Sequence, residues 1–206
     1  MAMKRPIETV YEDKISNKVL AHDPSQASAI ELLSKINEDL TNRNKGFLSV
    51  IKKKQSLKGV YLWGGVGRGK SMVMDLFFEF TDIQKKRRVH FHAFMQEIHE
   101  EIFKVRKTGA NDAIEPIAKH IVKNLDLLCF DELQVTDITD AMIIGRLFDK
   151  ITNNGVFIVA TSNRVPEDLY KNGLNRNLFI PFIDFIKRDF KIFEFTTGVD
   201  YRQLGL

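Results

Sequence analysis

The chain has 206 residues, 44% hydrophobic and 28% charged, with a formal net charge of +4 at pH 7. These values exclude disordered, collagen-like and coiled-coil classes, and the length suits one buried core with an additional arm. A balance of +4 permits an anionic ligand without demanding a nucleic-acid partner. Cys129 is the sole cysteine, which excludes an intrachain disulfide and a cysteine-based zinc site and suits a reducing compartment. No apolar run reaches the roughly 20 residues of a membrane span. The start, Met1 to Val10 followed by Glu12 and Asp13, lacks the apolar stretch of a secretory signal and the acid-poor look of a transit peptide. A cytoplasmic protein is expected.

The first predicted element is a helix opening at Asp23 as cap, with Pro24 in its first turn and Gln26 where a capping box places Glu or Gln. Ile30, Leu33, Ile36 and Leu40 continue it as one apolar stripe. Residues 41–58 are polar and Lys-rich and read as a connector, so residues 1–58 form an N-terminal helical arm and residues 59–206 the main domain. From residue 59 short apolar runs alternate with helical patterns. Strands are expected at 59–63, 88–91, 125–130, 156–160 and 190–195. Helices are expected at 71–80, from 94 to 105, at 112–123, 139–151, 167–171 and 175–187. Short apolar strands separated by helices imply an α/β fold, a five-stranded parallel sheet covered by helices on both faces.

Between the first strand and the first helix of this domain lies Gly64-Gly65-Val66-Gly67-Arg68-Gly69-Lys70-Ser71, which fits G-x-x-x-x-G-K-[ST] in the strand–loop–helix context that motif requires. Glycines let backbone N–H groups wrap a phosphate, and the following helix aims its positive end at the same group. Lys70 is expected at the β- and γ-phosphates and Ser71 on Mg²⁺.

The apolar strand Leu127-Leu128-Cys129-Phe130 ends in Asp131-Glu132. Ligands of open parallel sheets sit at the carboxyl ends of strands. Asp131 is therefore expected to hold Mg²⁺ through water, and Glu132 to orient or deprotonate an attacking water. The next strand ends in Thr161-Ser162-Asn163-Arg164, and Asn163 is the candidate that positions water or senses the γ-phosphate. Arg164, Arg176 and Arg188 follow; Arg176 is chosen as the arginine that stabilises transition-state charge, a role a neighbouring subunit sometimes supplies.

His90 and His92 are expected on one face of a strand with His99 on the next helix, a grouping read as structural in preference to a zinc site. Lys85-Lys86-Arg87-Arg88 reads as a solvated loop in preference to a nucleic-acid patch, since no aromatic residues interleave it.

Together these residues describe an AAA+ core, and the chain resembles the ZapE family of cell-division ATPases, with mitochondrial relatives in the lactation-elevated protein. The resemblance is carried by residues 20–26, by the P-loop at 60–71, and by His90-Phe91-His92-Ala93-Phe94-Met95 with His99. It continues through residues 127–142, Ala160-Thr161-Ser162-Asn163, residues 169–174 and Asp200-Tyr201-Arg202. It implies ATP and Mg²⁺, a homo-oligomeric working form and a remodelled protein partner, the FtsZ division machinery in bacteria or membrane-associated proteins in mitochondria. The family continues past the Asp-Tyr-Arg block, so a helical lid is expected to be absent and efficient turnover with it. A helicase-loader-like ATPase, a small-molecule kinase and a nucleotide-gated adaptor with little hydrolysis are the competing readings; for the kinase, neither an acceptor site nor an Arg-rich cover is visible.

Overall fold

A computed structural model describes residues 6–45 and 57–196. The expected connector beyond residue 45, apart from 57 and 58, and the Asp200-Tyr201-Arg202 block lie outside the described residues.

Five parallel strands form one sheet: β1 Gly59–Gly64, β2 Lys86–His90, β3 Leu127–Asp131, β4 Phe157–Ser162 and β5 Phe190–Phe195, in the order β2-β3-β4-β1-β5. The three central strands are buried along almost their whole length, which explains their continuous apolar sequences. Their side chains alternate between two cores. Tyr61, Leu128, Phe130, Ile158 and Ala160 face one, and Val60, Leu62, Leu127, Cys129 and Val159 the other.

The first core is closed by α4 Phe91–Lys107, α5 Ile114–Asn124, α6 Ile138–Asn153 and α7 Ile180–Asp189. The second is closed by α3 Lys70–Phe80 together with two N-terminal helices, α1 Ile7–Ser16 and α2 Pro24–Lys45. Helices therefore cover both faces, as expected. Phe130 packs among Phe91, Phe94 and Phe148, with ring centroids 4.8 to 5.9 Å apart. Each fully buried ring of this kind contributes about 1.5–3 kcal/mol, and here it fixes the strand whose tip carries Asp131. On the other face Cys129 is fully buried, and desolvation raises its thiol pKa, leaving it an inert core residue.

Several expectations are corrected. The arm contains α1, which the sequence reading missed; only Ile7, Val10 and Tyr11 are buried on it, too few positions to mark a period. The connector begins later than residue 41, because α2 runs on to Lys45. Asp23 does cap α2, accepting the Gln26 N–H at 3.0 Å. The Gln26 side chain does not close a capping box; its Nε2 donates to the Arg68 carbonyl at 3.2 Å, an acceptor on the P-loop.

β2 starts two residues earlier than expected and ends before Phe91. It is an edge strand, half exposed and polar, so its sequence lacks an apolar run. His90 therefore ends the strand while His92 lies in the first turn of α4, and the two do not share a strand face. The helix expected at 167–171 is only a 3-10 turn, Pro166–Asp168, because Tyr170 takes a left-handed φ of 54°. The helix expected at 175–187 is divided into a turn at Arg176–Leu178 and α7. Asn175 is left-handed at φ 54°, and Pro181, which has no N–H, stands in the first turn of the new helix.

Candidate nucleotide-binding site

The carboxyl ends of β1, β3 and β4 open into a cleft of about 270 Å³ lined by the P-loop, Met72, Glu132 and Thr161-Ser162-Asn163. The P-loop takes the shape its glycines permit. Gly67 has φ +76° and Gly69, which caps α3, has φ +81°, both in the left-handed region that side chains resist. Lys70 then starts α3, so that helix presents its free N–H groups to the cleft.

Lys70 is 7% exposed. Its ammonium donates to the carbonyls of Gly64 (2.9 Å) and Gly65 (2.7 Å) and to Asn163 Oδ1 (2.9 Å). Burial lowers its pKa from the ordinary lysine value, and the charges of Asp131 and Glu132 act against that shift. The Lys70–Asn163 bond joins residues 93 apart in sequence and sets the tip of β4 directly beside the P-loop.

Ser71 Oγ donates to Asp131 Oδ1 at 2.8 Å, and Thr161 Oγ1 donates to the same oxygen at 2.9 Å. Arg88 Nη2 donates to Asp131 Oδ2 at 2.8 Å, while its Nε reaches Asp75 Oδ1 at 2.7 Å. Asp131, 5% exposed, is thus a buried carboxylate with partners on both oxygens. A hydroxyl and a carboxylate at this spacing are the hard oxygen donors that suit Mg²⁺. With both Asp131 oxygens already engaged, its natural contact to a cation is through water.

Glu132 follows Asp131 with φ 54°. A non-glycine residue held there costs about 1–3 kcal/mol. The conformation is held by two bonds to β4, from Glu132 N–H to Thr161 Oγ1 at 3.0 Å and from Leu133 N–H to the Thr161 carbonyl at 2.7 Å. Its effect is to break the strand's alternation and bring Glu132 into the cleft lining. Ser162 Oγ donates to the Leu133 carbonyl at 2.9 Å and completes the joint between the two strand tips. Beneath it, Tyr61 Oη donates to the Arg164 carbonyl at 2.8 Å; burial raises the Tyr61 pKa, so it remains a donor.

The structure therefore brings Gly67, Gly69, Lys70, Ser71, Glu132 and Asn163 together, with Val66 and Arg68 in the lining and Asp131 behind Ser71. Gly64 and Gly65 contribute the carbonyls that hold Lys70. Arg176 is not in this lining. Its Nη2 donates to the Glu167 carbonyl at 2.5 Å, at the other end of the 163–179 connection. Within one chain it does not reach the cleft.

The basic run divides among structural partners. Lys85 donates to the Lys123 carbonyl, Lys86 to the carbonyls of Thr81 and Phe78, and Arg87 to Glu97. Arg88 has a role that sequence reasoning missed. The available signal was its place in β2, the strand paired with β3, where Arg88 stands opposite Cys129. His99 Nε2 lies 2.6 Å from Asp140 Oδ1. Among the described residues no group of three or more His, Cys, Asp or Glu is arranged to hold a metal ion, and no helix is long and apolar enough to cross a membrane.

Comparison with known proteins agrees with the fold. AMPPCP-bound DnaA from Aquifex aeolicus superposes with a TM-score of 0.60 at 16% identity, over 89% of this chain and 50% of that one. The DnaC helicase loader superposes with a TM-score of 0.51 at 15% identity, over 84% and 91% respectively. Likeness at this identity shows a P-loop AAA+ fold and nothing further. In sequence, the chain is 40% identical over 199 residues to the cell division protein ZapE of Escherichia coli K12, covering 88% of this chain and 52% of that protein. It is 42% identical over 175 residues to lactation elevated protein 1 homolog B of Danio rerio, covering 81% and 35%. The chain thus spans about half or less of the length of these relatives. The AFG1-like ATPase family matches residues 6–206, and the chain belongs to that family.

Proposed function

We propose that the chain binds Mg-ATP in the P-loop cleft, hydrolyses it, and couples turnover to remodelling of a protein partner in cell division, of the FtsZ polymer class. One observation carries the hydrolytic reading: at the start of α3 Lys70 is hydrogen-bonded to Asn163 beyond the end of β4 and Ser71 to Asp131 at the end of β3, and Glu132 lines the same cleft. The ATPase family supports turnover, and the name of the ZapE relative, a cell division protein, supports the cell-division setting.

In this reading P-loop N–H groups hold the β-phosphate, and Lys70 exchanges its carbonyl acceptors for β- and γ-phosphate oxygens. Ser71 and Asp131 would hold Mg²⁺, which would neutralise phosphate charge. Glu132 takes a proton from water as the water oxygen bonds to the γ-phosphorus. The bond from that phosphorus to the β–γ bridging oxygen breaks, and its electrons leave with ADP. Asn163 fixes the angle of approach. Arg176, outside the cleft of its own chain, is assigned to a neighbouring copy's site in a homo-oligomer. Phosphate release measured with FtsZ-type polymers or with single-stranded DNA tests the partner. Stimulation by the polymer is expected; stimulation by DNA alone would overturn this assignment.

A further inference from the structure

Gln26, in the first turn of α2, hydrogen-bonds the P-loop. Its Nε2 donates to the Arg68 carbonyl at 3.2 Å. The same amide fills the space beside Gly69, where an added Cβ would come within 2.7 Å of Nε2 and 3.0 Å of Cδ. Tyr11, 3% exposed, places its hydroxyl 3.4 Å from Gln26 Oε1 and 3.4 Å from the Asp23 carbonyl. The backbone around Gln26 is held as well. Asp23 caps its N–H, Ser25 Oγ lies 3.2 Å from Thr196 Oγ1 after β5, and Ala29, Ile30 and Leu33 anchor the next turns in the core.

The chemistry of this contact follows from peptide geometry. In a trans peptide the C=O and N–H point in opposite directions. Tying the Arg68 carbonyl to Gln26 turns the Gly69 N–H away from the arm. Gln26 is not in the cleft lining whereas Arg68 and Gly69 are, so the side facing away from Gln26 is where a phosphate would sit. Free glycine-rich loops lose much conformational entropy on ordering. A fixed brace behind the loop bears that cost before a nucleotide arrives.

We propose that Gln26 is a positioning residue of the nucleotide site, an arm-borne brace that pre-orders the Arg68–Gly69 peptide, with Tyr11 orienting its amide. The inference rests on the nucleotide-binding reading above. Because coupling of this kind is reciprocal, nucleotide should in turn tighten the docking of α1 and α2.

The test uses the whole chain and the substitution Gln26→Met, which keeps length and removes the amide. Measured quantities are the Kd of a fluorescent ATP analogue with Mg²⁺, kcat and KM for phosphate release, the Tm without nucleotide, and nucleotide-dependent protection of residues 7–30 in hydrogen exchange. Kd and KM are expected to rise about fivefold, which is ~1 kcal/mol at 1.4 kcal/mol per decade. The kcat and the nucleotide-free Tm should hold, and the protection of residues 7–30 should shrink. Tyr11→Phe, which removes a single hydroxyl, should move Kd the same way by about twofold. An unchanged Kd in both variants overturns the brace. So does a loss of affinity that only tracks a loss of Tm in both. A wild-type chain that binds no nucleotide at all would strike the nucleotide site itself and the brace with it, which separates the two failures.

Discussion

Arg88→Met removes the cation from a buried carboxylate while keeping most of the side-chain volume. The Asp131 side chain is 7% exposed and that of Arg88 31%. Cutting one partner from a fully buried ion pair costs about 3–5 kcal/mol. The Arg88 head is partly solvated, and Asp131 keeps the Ser71 and Thr161 hydroxyls, so the expected cost is lower, about 2 kcal/mol, within the range for a charge-assisted bond. The lost contact to Asp75, whose side chain is 50% exposed, adds little. The denaturant midpoint should fall accordingly, with a Tm lower by about 4–8 °C for a domain of this size. The decisive assay is a double-mutant cycle with Asp131→Asn. A neutral amide needs no cation, so Arg88→Met should cost much less in that background, leaving a coupling of at least about 1 kcal/mol. A cost within about 0.5 kcal/mol of zero, or the same cost in both backgrounds, would refute the claim that Arg88 neutralises the acidic strand tip.

Two further outcomes are expected. Asn163→Ala should lower kcat by about a hundredfold while the ATP Kd moves by less than about threefold, as for a group that acts chiefly in the transition state; equal losses in binding and turnover would count against it. Asp137 accepts the Thr139 N–H at 2.6 Å as N-cap of α6, and that bond holds its carboxyl below the ordinary aspartate range. Its contribution is therefore fully present above the unfolded pKa and lost as pH falls through the depressed folded value. Wild type should melt above Asp137→Ala at pH 7, with the gap narrowing into acid; a gap that widens there would contradict the cap.

The parts of the fold legible in the sequence are those whose signal is local. The P-loop is contiguous and needs its glycines in place, so Gly67 and Gly69 announced themselves. β1, β3 and β4 are buried on both faces, and their apolar runs said so. The same rule placed Asp131 and Asn163 at strand ends, and parallel pairing then brought them to Lys70 and Ser71. β2 was misplaced because an edge strand has no need of an apolar run. The region from 166 to 181 misled because the left-handed backbone at Tyr170 and Asn175, together with Pro181, interrupts the helical pattern where periodicity gives no sign of it. Arg88 and Gln26 were hidden for a different reason. Their partners lie 43 and 42 residues away, and only the packed sheet and arm bring them within reach. Lys-rich stretches look alike in sequence whether they face solvent or, like Arg88, a buried acid.

The central claim is that Glu132 activates the water that cleaves ATP. The most direct measurement compares wild type with Glu132→Gln in Mg-ATP, following nucleotide binding and phosphate release together. The amide keeps the shape and cannot take the proton. It should bind ATP as wild type does and lose turnover by about a hundredfold or more. Turnover equal to wild type would contradict the account.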